Sequence, residues 1–157
     1  MASESLIQLI YVSEATRTLT QQEVLELLEV AVENNRQQNI TGILLYYKDS
    51  FFQVLEGDAE TVGKLYETIC KDSRNRKNTV LMSERLVERQ FEKWSMGYTE
   101  VTQKDLASIE GLNELFFGAN CFMQLAPSDI TVLMAVFQVA EWISRFEEQA
   151  LLMKSMA

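Results

Sequence analysis

The feature that most constrains the fold is a pair of short segments in which large apolar residues occupy consecutive positions. Leucines stand at 44–45 and phenylalanines at 51–52, inside predicted strands at about 41–47 and 51–56. Successive side chains of a strand point to opposite faces of a sheet, so both faces of these strands must be buried. The sheet is therefore predicted to have other elements packed on each side.

Other strand-like patterns occur in the first hundred residues. Strands are predicted at about 6–13, 79–87 and 91–98, and a short polar turn at 48–50 is suited to a hairpin between the two apolar strands. The sheet is therefore predicted to have five strands.

Two helical patterns separate these strands. The first helix begins at Thr20, where Glu23 fits a capping box, and runs to about residue 35; the second follows Asp58 as its N-cap. The resulting order, βαββαββ, predicts an α+β, ferredoxin-like unit with a mixed sheet and both helices on one face.

After about residue 103 the pattern is helical only. Helices are predicted at 104–117 and at 128–153, the second starting near Pro127. These two C-terminal helices are the natural cover for the second face of the sheet. We therefore divide the chain into a unit at 1–102 and a two-helix extension at 103–157 that packs on the sheet.

Charge and composition exclude several classes of function. The 14 basic and 23 acidic residues give a formal net charge of −9, which repels nucleic acid and anionic lipid. With two cysteines and no histidine, a zinc site or a histidine-based catalytic triad is not expected, and no metal is predicted. The chain shows no targeting pattern and no apolar run of about 18 residues, so we expect a cytoplasmic location without a membrane span.

Two polar side chains interrupt the apolar faces of the predicted strands. Tyr11 lies on the same face as Ile7 and Leu9, and Gln53 lies between two large apolar residues on its own strand. An unpaired buried amide costs about 1–3 kcal/mol, so Gln53 needs a hydrogen-bonding partner. These positions point to a polar pocket inside the core.

Two further residues can join this pocket. Asn35 falls at the sheet-facing edge of the first helix, near its end, and Arg74 falls in the loop after the second helix. A phenol, two carboxamides and a guanidinium suit a flat heterocycle with alternating donors and acceptors, such as an isoalloxazine ring. Each residue also has an ordinary interpretation as a core, helix-end or surface side chain, so the residues alone leave the ligand open.

Five short strings occur in a characteristic order and spacing between about residues 5 and 100: Leu9-Ile-Tyr11-Val-Ser13, Asn34-Asn35-x4-Ile40-Thr41-Gly42, Phe51-Phe-Gln53-Val-Leu-Glu56-Gly57, Asp72-Ser-Arg74 and Phe91-Glu-Lys-Trp94-Ser95-Met96. On these strings the chain resembles the BLUF domain, a blue-light sensor that uses flavin. The third and fifth strings are the most specific.

The resemblance implies a photoreceptor and not an enzyme, with FAD or another flavin bound between the two helices. In the family, the tyrosine matched by Tyr11 donates an electron and a proton to the excited ring. The glutamine matched by Gln53 links this tyrosine to the flavin and is left rotated or tautomerised. The result is a slightly red-shifted, reversible signalling state.

The resemblance also assigns roles to residues around the ring. Asn35 and Arg74 match residues that bind polar groups of the ring, and Leu27 matches an aliphatic ring contact. Trp94, Ser95 and Met96 match the segment that couples the site to the fifth strand. Two positions depart from the family: Ala31 replaces a frequent hydroxyl residue and Asn75 replaces a frequent histidine, so kinetics and ring affinity are open to change.

The expected output is binding to another molecule, because the C-terminal region carries no recognisable catalytic domain. Several large apolar side chains lie near the C-terminus: Leu151, Leu152, Met153 and Met156. They favour a homo-oligomer and binding to an unknown downstream protein. The alternative is that they simply complete the core.

An alternative is a ferredoxin-like domain indifferent to light, either a small-molecule-binding module or an acylphosphatase-like hydrolase. The hydrolase would use Arg17 in the loop after the first strand, but that loop lacks glycines for an anion cradle.

Overall fold

The computed structural model describes residues 5–116 and 120–156, with side chains as far as Glu148. The strands are β1 (Leu6–Ala15), β2 (Thr41–Tyr47), β3 (Ser50–Asp58), β4 (Asn75–Arg85) and β5 (Gly97–Glu100). The helices are α1 (Gln21–Gln37), α2 (Ala59–Lys71), α3 (Gln103–Ala107), α4 (Ile130–Phe137) and α5 (Ala140–Met156). Short 3-10 helices at Phe122–Gln124 and Pro127–Asp129 precede α4.

The five strands form one mixed sheet in the order β4-β1-β3-β2-β5. The β1–β3, β1–β4 and β2–β3 pairs are antiparallel, whereas β2 and β5 are parallel. The predicted mixed five-stranded sheet is confirmed. Its two central neighbours, β1 and β3, carry the residues predicted for the site.

Local sequence signals determine where these elements start and turn. Lys48 and Asp49 have φ of 45° and 57° and form the two-residue connection between β2 and β3, as expected of a tight hairpin turn with left-handed central residues. Thr20 and Glu23 form the predicted capping box at the start of α1. Asp58 caps α2 by accepting hydrogen bonds from two backbone N–H groups of its first turn.

Both faces of the sheet are covered. On the face of α1 and α2, residues such as Leu9, Leu28 and Val62 form one buried cluster. On the other face, Phe52 and Val54 pack with buried aromatic side chains of the C-terminal region: Phe116, Phe122, Phe137, Trp142 and Phe146. The expectation drawn from the consecutive apolar residues is therefore correct.

The C-terminal helices differ from the prediction. The helix expected over 104–117 is only the five-residue α3, after which turns lead to Gly111 at φ 95°. A left-handed residue at this point cannot continue an α-helix.

The single helix expected over 128–153 is divided into α4 and α5 around Gln138 and Val139. Phe137 and Trp142 would lie about 140° apart around one continuous helix. The break lets both rings enter the core, with their centroids 5.4 Å apart.

Within the described chain, no helix is long and apolar enough to cross a membrane.

The fifth strand is also shorter than predicted. β5 begins at Gly97, so residues 91–96, expected to be strand, form an irregular connection. As a result, Trp94 and Met96 do not share a face as alternate strand residues would. Trp94 packs against the C-terminal core and Met96 lies in the cluster under α1 and α2.

Association was predicted from four apolar side chains that lie outside the described part of the structure: Leu151, Leu152, Met153 and Met156.

Candidate functional site

A cavity of about 230 Å³ lies between the sheet and the two helices α1 and α2. Its walls come from β1, β2, β3, both helices, the loop after α2 and the first residue of β4: Tyr11, Ser13, Leu27, Val30, Ala31, Asn34, Asn35, Leu44, Phe51, Gln53, Leu65, Thr68, Ile69, Asp72, Arg74 and Asn75. The structure thus brings together five of the residues predicted from the sequence. These are Tyr11, Leu27, Asn35, Gln53 and Arg74.

The centre of the site is a hydrogen-bonded chain that starts at Tyr11. This residue lies directly opposite Gln53 in the antiparallel pairing of β1 and β3. Its hydroxyl donates to Gln53 Oε1, and Gln53 Nε2 donates to Met96 Sδ at 3.4 Å. The buried amide is therefore paired on both its acceptor and its donor side, and it connects the cavity wall to the segment before β5.

Burial keeps the Tyr11 phenol in its neutral form. Desolvation raises the pKa of Tyr11 well above its usual value, and Tyr66, Cys70 and Asp72 raise it further through their charges. The Tyr66 ring lies edge-on to Tyr11, with 5.1 Å between the ring centroids. The Tyr11 phenol is therefore buried and protonated, and Gln53 Oε1 accepts its hydrogen bond.

Asn35 is placed as predicted, at the inner side of the last turn of α1, and it is 2% exposed. Its Nδ2 donates to the backbone oxygen of Ser95 at 2.8 Å. Asn35 therefore ties the cavity to the connection that carries Met96. Its assignment as a ring-binding residue remains a prediction.

Arg74 stands at the mouth of the cavity with its side chain about half exposed. Its Nε donates to Asp72 Oδ1 at 2.9 Å, and this hydrogen bond is the main cause of a lowered pKa for Asp72. Asn75 donates through Nδ2 to the carbonyl oxygens of Ile69 and Asp72, so it closes the end of α2. The Asp72 carboxylate thus holds the Arg74 guanidinium in place at the cavity.

Ser13 was missed by the sequence analysis. It lies two residues after Tyr11 on the same face of β1, lines the cavity and is 1% exposed. Its Oγ is buried and finds no hydrogen-bonding partner among the described residues. The alternation along β1 was the signal that could have identified it.

The chemistry of this wall fits a flat heteroaromatic ring with a polar edge. Apolar faces such as Leu27 and Leu65 offer contact to a ring, while Ser13, Asn35 and Gln53 offer hydrogen bonds at its rim. An unpartnered buried hydroxyl costs free energy unless a ligand supplies its partner. The cavity therefore suits the isoalloxazine ring that the sequence suggested.

Trp94 is not part of this site. Its ring lies 5.5 Å from Phe146 and 6.1 Å from Phe91, on the opposite face of the sheet. Of the predicted coupling segment, Met96 contacts Gln53 through its sulfur and Ser95 contacts Asn35 through its backbone oxygen.

Comparison with known proteins agrees with this geometry. The family model described as BLUF, sensors of blue-light using FAD, matches residues 6–97. The chain is 33% identical over 112 residues to the photoactivated adenylate cyclase subunit beta-like protein FB of Euglena gracilis, a match that covers 71% of this chain and 13% of the relative. It is 35% identical over 91 residues to the blue light- and temperature-regulated antirepressor BluF of Escherichia coli strain K12, covering 58% of this chain and 23% of that one. These relatives are thus much longer than the region that they share with the chain.

Among solved structures, the chain is similar to one titled BlsA ground state. The TM-score is 0.77 at 27% identity, and the match covers 86% of this chain and 89% of that one. The similarity therefore extends beyond the sheet and its two helices into the C-terminal region.

Proposed function

Since the chain belongs to the BLUF family, the sensors of blue-light using FAD, we propose that it is a blue-light photoreceptor whose flavin ring lies in the cavity between α1 and α2. The observation that carries this proposal is the hydrogen bond from Tyr11 to Gln53 at the cavity wall, continued from Gln53 to Met96. The part of the chain that matches the family is a sensor domain, and we propose no enzymatic activity for it.

The ring would be held by side chains that already converge on the cavity. Asn35, Ser13 and Arg74 offer hydrogen bonds to polar atoms of the ring, and Leu27 offers an aliphatic contact to its face. Bound flavin supplies the absorption of blue light and, once excited, an acceptor for one electron. All further chemistry belongs to the protein.

Tyr11 is the proposed donor. It gives up one electron and its phenolic proton, and the proton leaves along the hydrogen bond from the hydroxyl to Gln53 Oε1. Burial raises the pKa of Tyr11, so the phenol is protonated before illumination, and in this proposal its proton moves together with the electron. When both return to Tyr11, the residue is restored and the change is left in the Gln53 amide.

Gln53 is the proposed switch. Its amide has an acceptor toward Tyr11 and a donor toward Met96 Sδ at 3.4 Å. Rotation or tautomerisation exchanges the polarity of these two ends, so the contact to the Met96 sulfur becomes unfavourable. Light would thereby change which packing of Met96 is preferred, as signalling between two states requires.

The proposed route of the signal runs from Met96 into β5 and the C-terminal helices. Gly97 directly follows Met96, and a Cβ at Gly97 would come within 3.4 Å of both Phe146 Cβ in α5 and the Trp94 ring. In this proposal, a shift of Met96 moves the adjacent Gly97, and the close packing of Gly97 on Phe146 transmits that movement to α5. We also propose that the protein self-associates, that it binds a downstream protein partner, and that it is located in the cytoplasm.

The hydrolase alternative finds no support at the site. Arg17 pairs with Glu23 at the start of α1 and does not line the cavity. A light-indifferent binding module would share the cavity but would not respond to illumination, so spectroscopy separates it from a photoreceptor.

The test is a visible spectrum of the purified full chain before and after blue light. We expect a yellow protein that releases FAD on heating and shows a small, reversible red shift. A colourless protein that takes up no FAD on reconstitution would overturn the proposal, and stably bound flavin without any light-induced shift would favour the binding module.

A further inference from the structure

The segment that carries Met96 has no regular secondary structure of its own. Residues 86–96, which we call the β4–β5 connection, leave the edge strand β4, cross the C-terminal core through Phe91 and Trp94, and end on the cavity side at Met96. The position of Met96 against Gln53 therefore depends on how this connection is fastened to the sheet.

One fastening is Glu56, which belongs to the third sequence string but has no part in the cavity. Its side chain is fully buried on the face of β3 opposite Gln53. The carboxylate accepts from the backbone N–H of Gln90 at 3.0 Å and of Phe91 at 2.9 Å through Oε1, and from Gln8 Nε2 at 2.7 Å through Oε2. Hydrogen bonds to a charged acceptor are stronger than those between neutral groups.

A second fastening is Arg89, from within the connection itself. Its guanidinium donates to Thr41 Oγ1 at 2.8 Å and to the backbone oxygens of Glu56 at 2.9 Å and Asn39 at 2.7 Å. It therefore links the connection to the start of β2 and the end of β3. Together with Glu56, it fixes residues 89–91 on the same end of the sheet.

The far end of the connection is held by neutral groups. Gly42 N–H donates to the Trp94 oxygen at 3.0 Å, and Asn35 donates to the Ser95 oxygen at 2.8 Å. The upstream end is thus held through charged side chains, while the downstream end lies next to the switching amide. Such an arrangement keeps one end fixed when the other end changes its contacts.

We propose that Glu56 and Arg89 are positioning residues that hold the β4–β5 connection in the register that brings Met96 Sδ to Gln53 Nε2. Neither residue lines the cavity or touches the proposed flavin site. Their role rests on the proposed function only in that Gln53 is the switch. The arrangement itself exists in the dark and without flavin, so it is tested separately.

The test uses the full chain in the dark, with and without FAD, and follows two signals. One is the NMR resonance of the Met96 methyl group, assigned by its loss in Met96→Leu; the other is hydrogen exchange of the Gln90 and Phe91 amides. In Glu56→Ala we expect the methyl resonance to move and both amides to exchange about tenfold faster or more, because charge-assisted hydrogen bonds are lost. Arg89→Ala should move the methyl resonance in the same direction.

Two controls separate positioning from general loss of stability. Glu56→Gln keeps an acceptor for both N–H groups once the Gln8 amide flips, so it should leave the Met96 resonance near its original place. Glu60→Ala removes an exposed carboxylate on α2 and should leave both signals unchanged.

An unmoved Met96 methyl resonance in Glu56→Ala and Arg89→Ala would overturn the proposal, even with faster exchange at residues 90 and 91. If Glu56→Ala does not fold, Arg89→Ala decides by the same criterion, because Arg89 is only partly buried whereas Glu56 is fully buried. None of these outcomes depends on whether the protein responds to light.

Discussion

Tyr11 and Gln53 stand directly opposite each other across the β1–β3 pair, and the phenol donates its hydrogen bond to the glutamine carbonyl oxygen. A slip of one residue in this register would turn one of the two side chains to the opposite face of the sheet. The β1–β3 pairing therefore determines both the fold and the chemistry of the site.

Tyr11→Phe should retain flavin but lose the light-induced red shift, because the variant keeps the aromatic ring of residue 11 and removes the phenolic proton. Tyr66→Phe is the matched control, since its ring lies 5.1 Å from that of Tyr11 but Tyr66 does not line the cavity. This control should keep the shift. Difference spectra of both variants in dark and light provide the measurement, and a normal response in Tyr11→Phe would show that another residue donates the electron.

Alkaline pH should destabilise the protein in part through Tyr11. Burial raises the pKa of Tyr11 in the folded chain, so its contribution is fully present below the unfolded value of about 10 and is lost as the pH rises above it. Above that pH the unfolded chain binds fewer protons than the folded one, and the free energy of unfolding falls by up to about 1.4 kcal/mol per pH unit for this group. Urea unfolding at pH 9 and pH 11 should show a smaller decrease in Tyr11→Phe; an equal decrease would contradict the buried, protonated phenol.

Ser13→Ala should have opposite effects on the flavin-free and the flavin-bound protein. Removing a buried hydroxyl without a partner should leave the stability of the flavin-free chain unchanged or raise it. If the hydroxyl binds the ring, the loss of that hydrogen bond should weaken flavin binding roughly threefold to tenfold. Thermal unfolding and a flavin titration measure the two effects.

The exposed Ser73 offers a control for this pair of measurements, because Ser73→Ala lies beside Arg74 but outside the cavity lining. It should change neither quantity. Flavin affinity that is equal in Ser13→Ala and the original protein would remove Ser13 from the binding site.

The sequence predicted the parts of the site that lie on regular elements. Tyr11 and Gln53 were found from the two-residue period of their strands, and Asn35 from the period of α1, because these periods determine which side chains share a face. Ser13 obeys the same period as Tyr11 but was missed, since alternation places it on the cavity face while only the structure shows that its hydroxyl is buried without a partner.

The errors fall where long-range contacts override local pattern. Trp94 and Met96 occupy alternate positions, as apolar residues of a strand do, but Glu56 accepts hydrogen bonds from the N–H groups of Gln90 and Phe91. The Trp94 N–H turns back to the Phe91 oxygen at 3.3 Å. The backbone groups that a strand would use are therefore already engaged, and no property of the segment itself reveals that.

Gly97→Ala should separate the photochemistry from the output. A Cβ at this position would lie 3.2 Å from Ile43 Cγ2 in β2, so that side chain has to move by a few tenths of an ångström, and it would contact Phe146 Cβ in α5 at 3.4 Å. We expect a loss of stability of about 1–3 kcal/mol from overpacking. Flavin binding and the red shift should persist, because Gly97 does not line the cavity.

The measurement is hydrogen exchange of the flavin-bound full chain in dark and light. In the original protein, light should change exchange in β5 and α5, because a shift of Met96 reaches Phe146 through Gly97; in Gly97→Ala that change should be reduced or lost. Gly63→Ala is the matched control, since a Cβ at Gly63 in α2 meets no atom within 4 Å, and it should keep the light-dependent change. If light altered exchange around Tyr11 and Gln53 but left β5 and α5 unchanged in the original protein, the signal would have to leave through α1 or α2, and the close packing at Gly97 would serve stability alone.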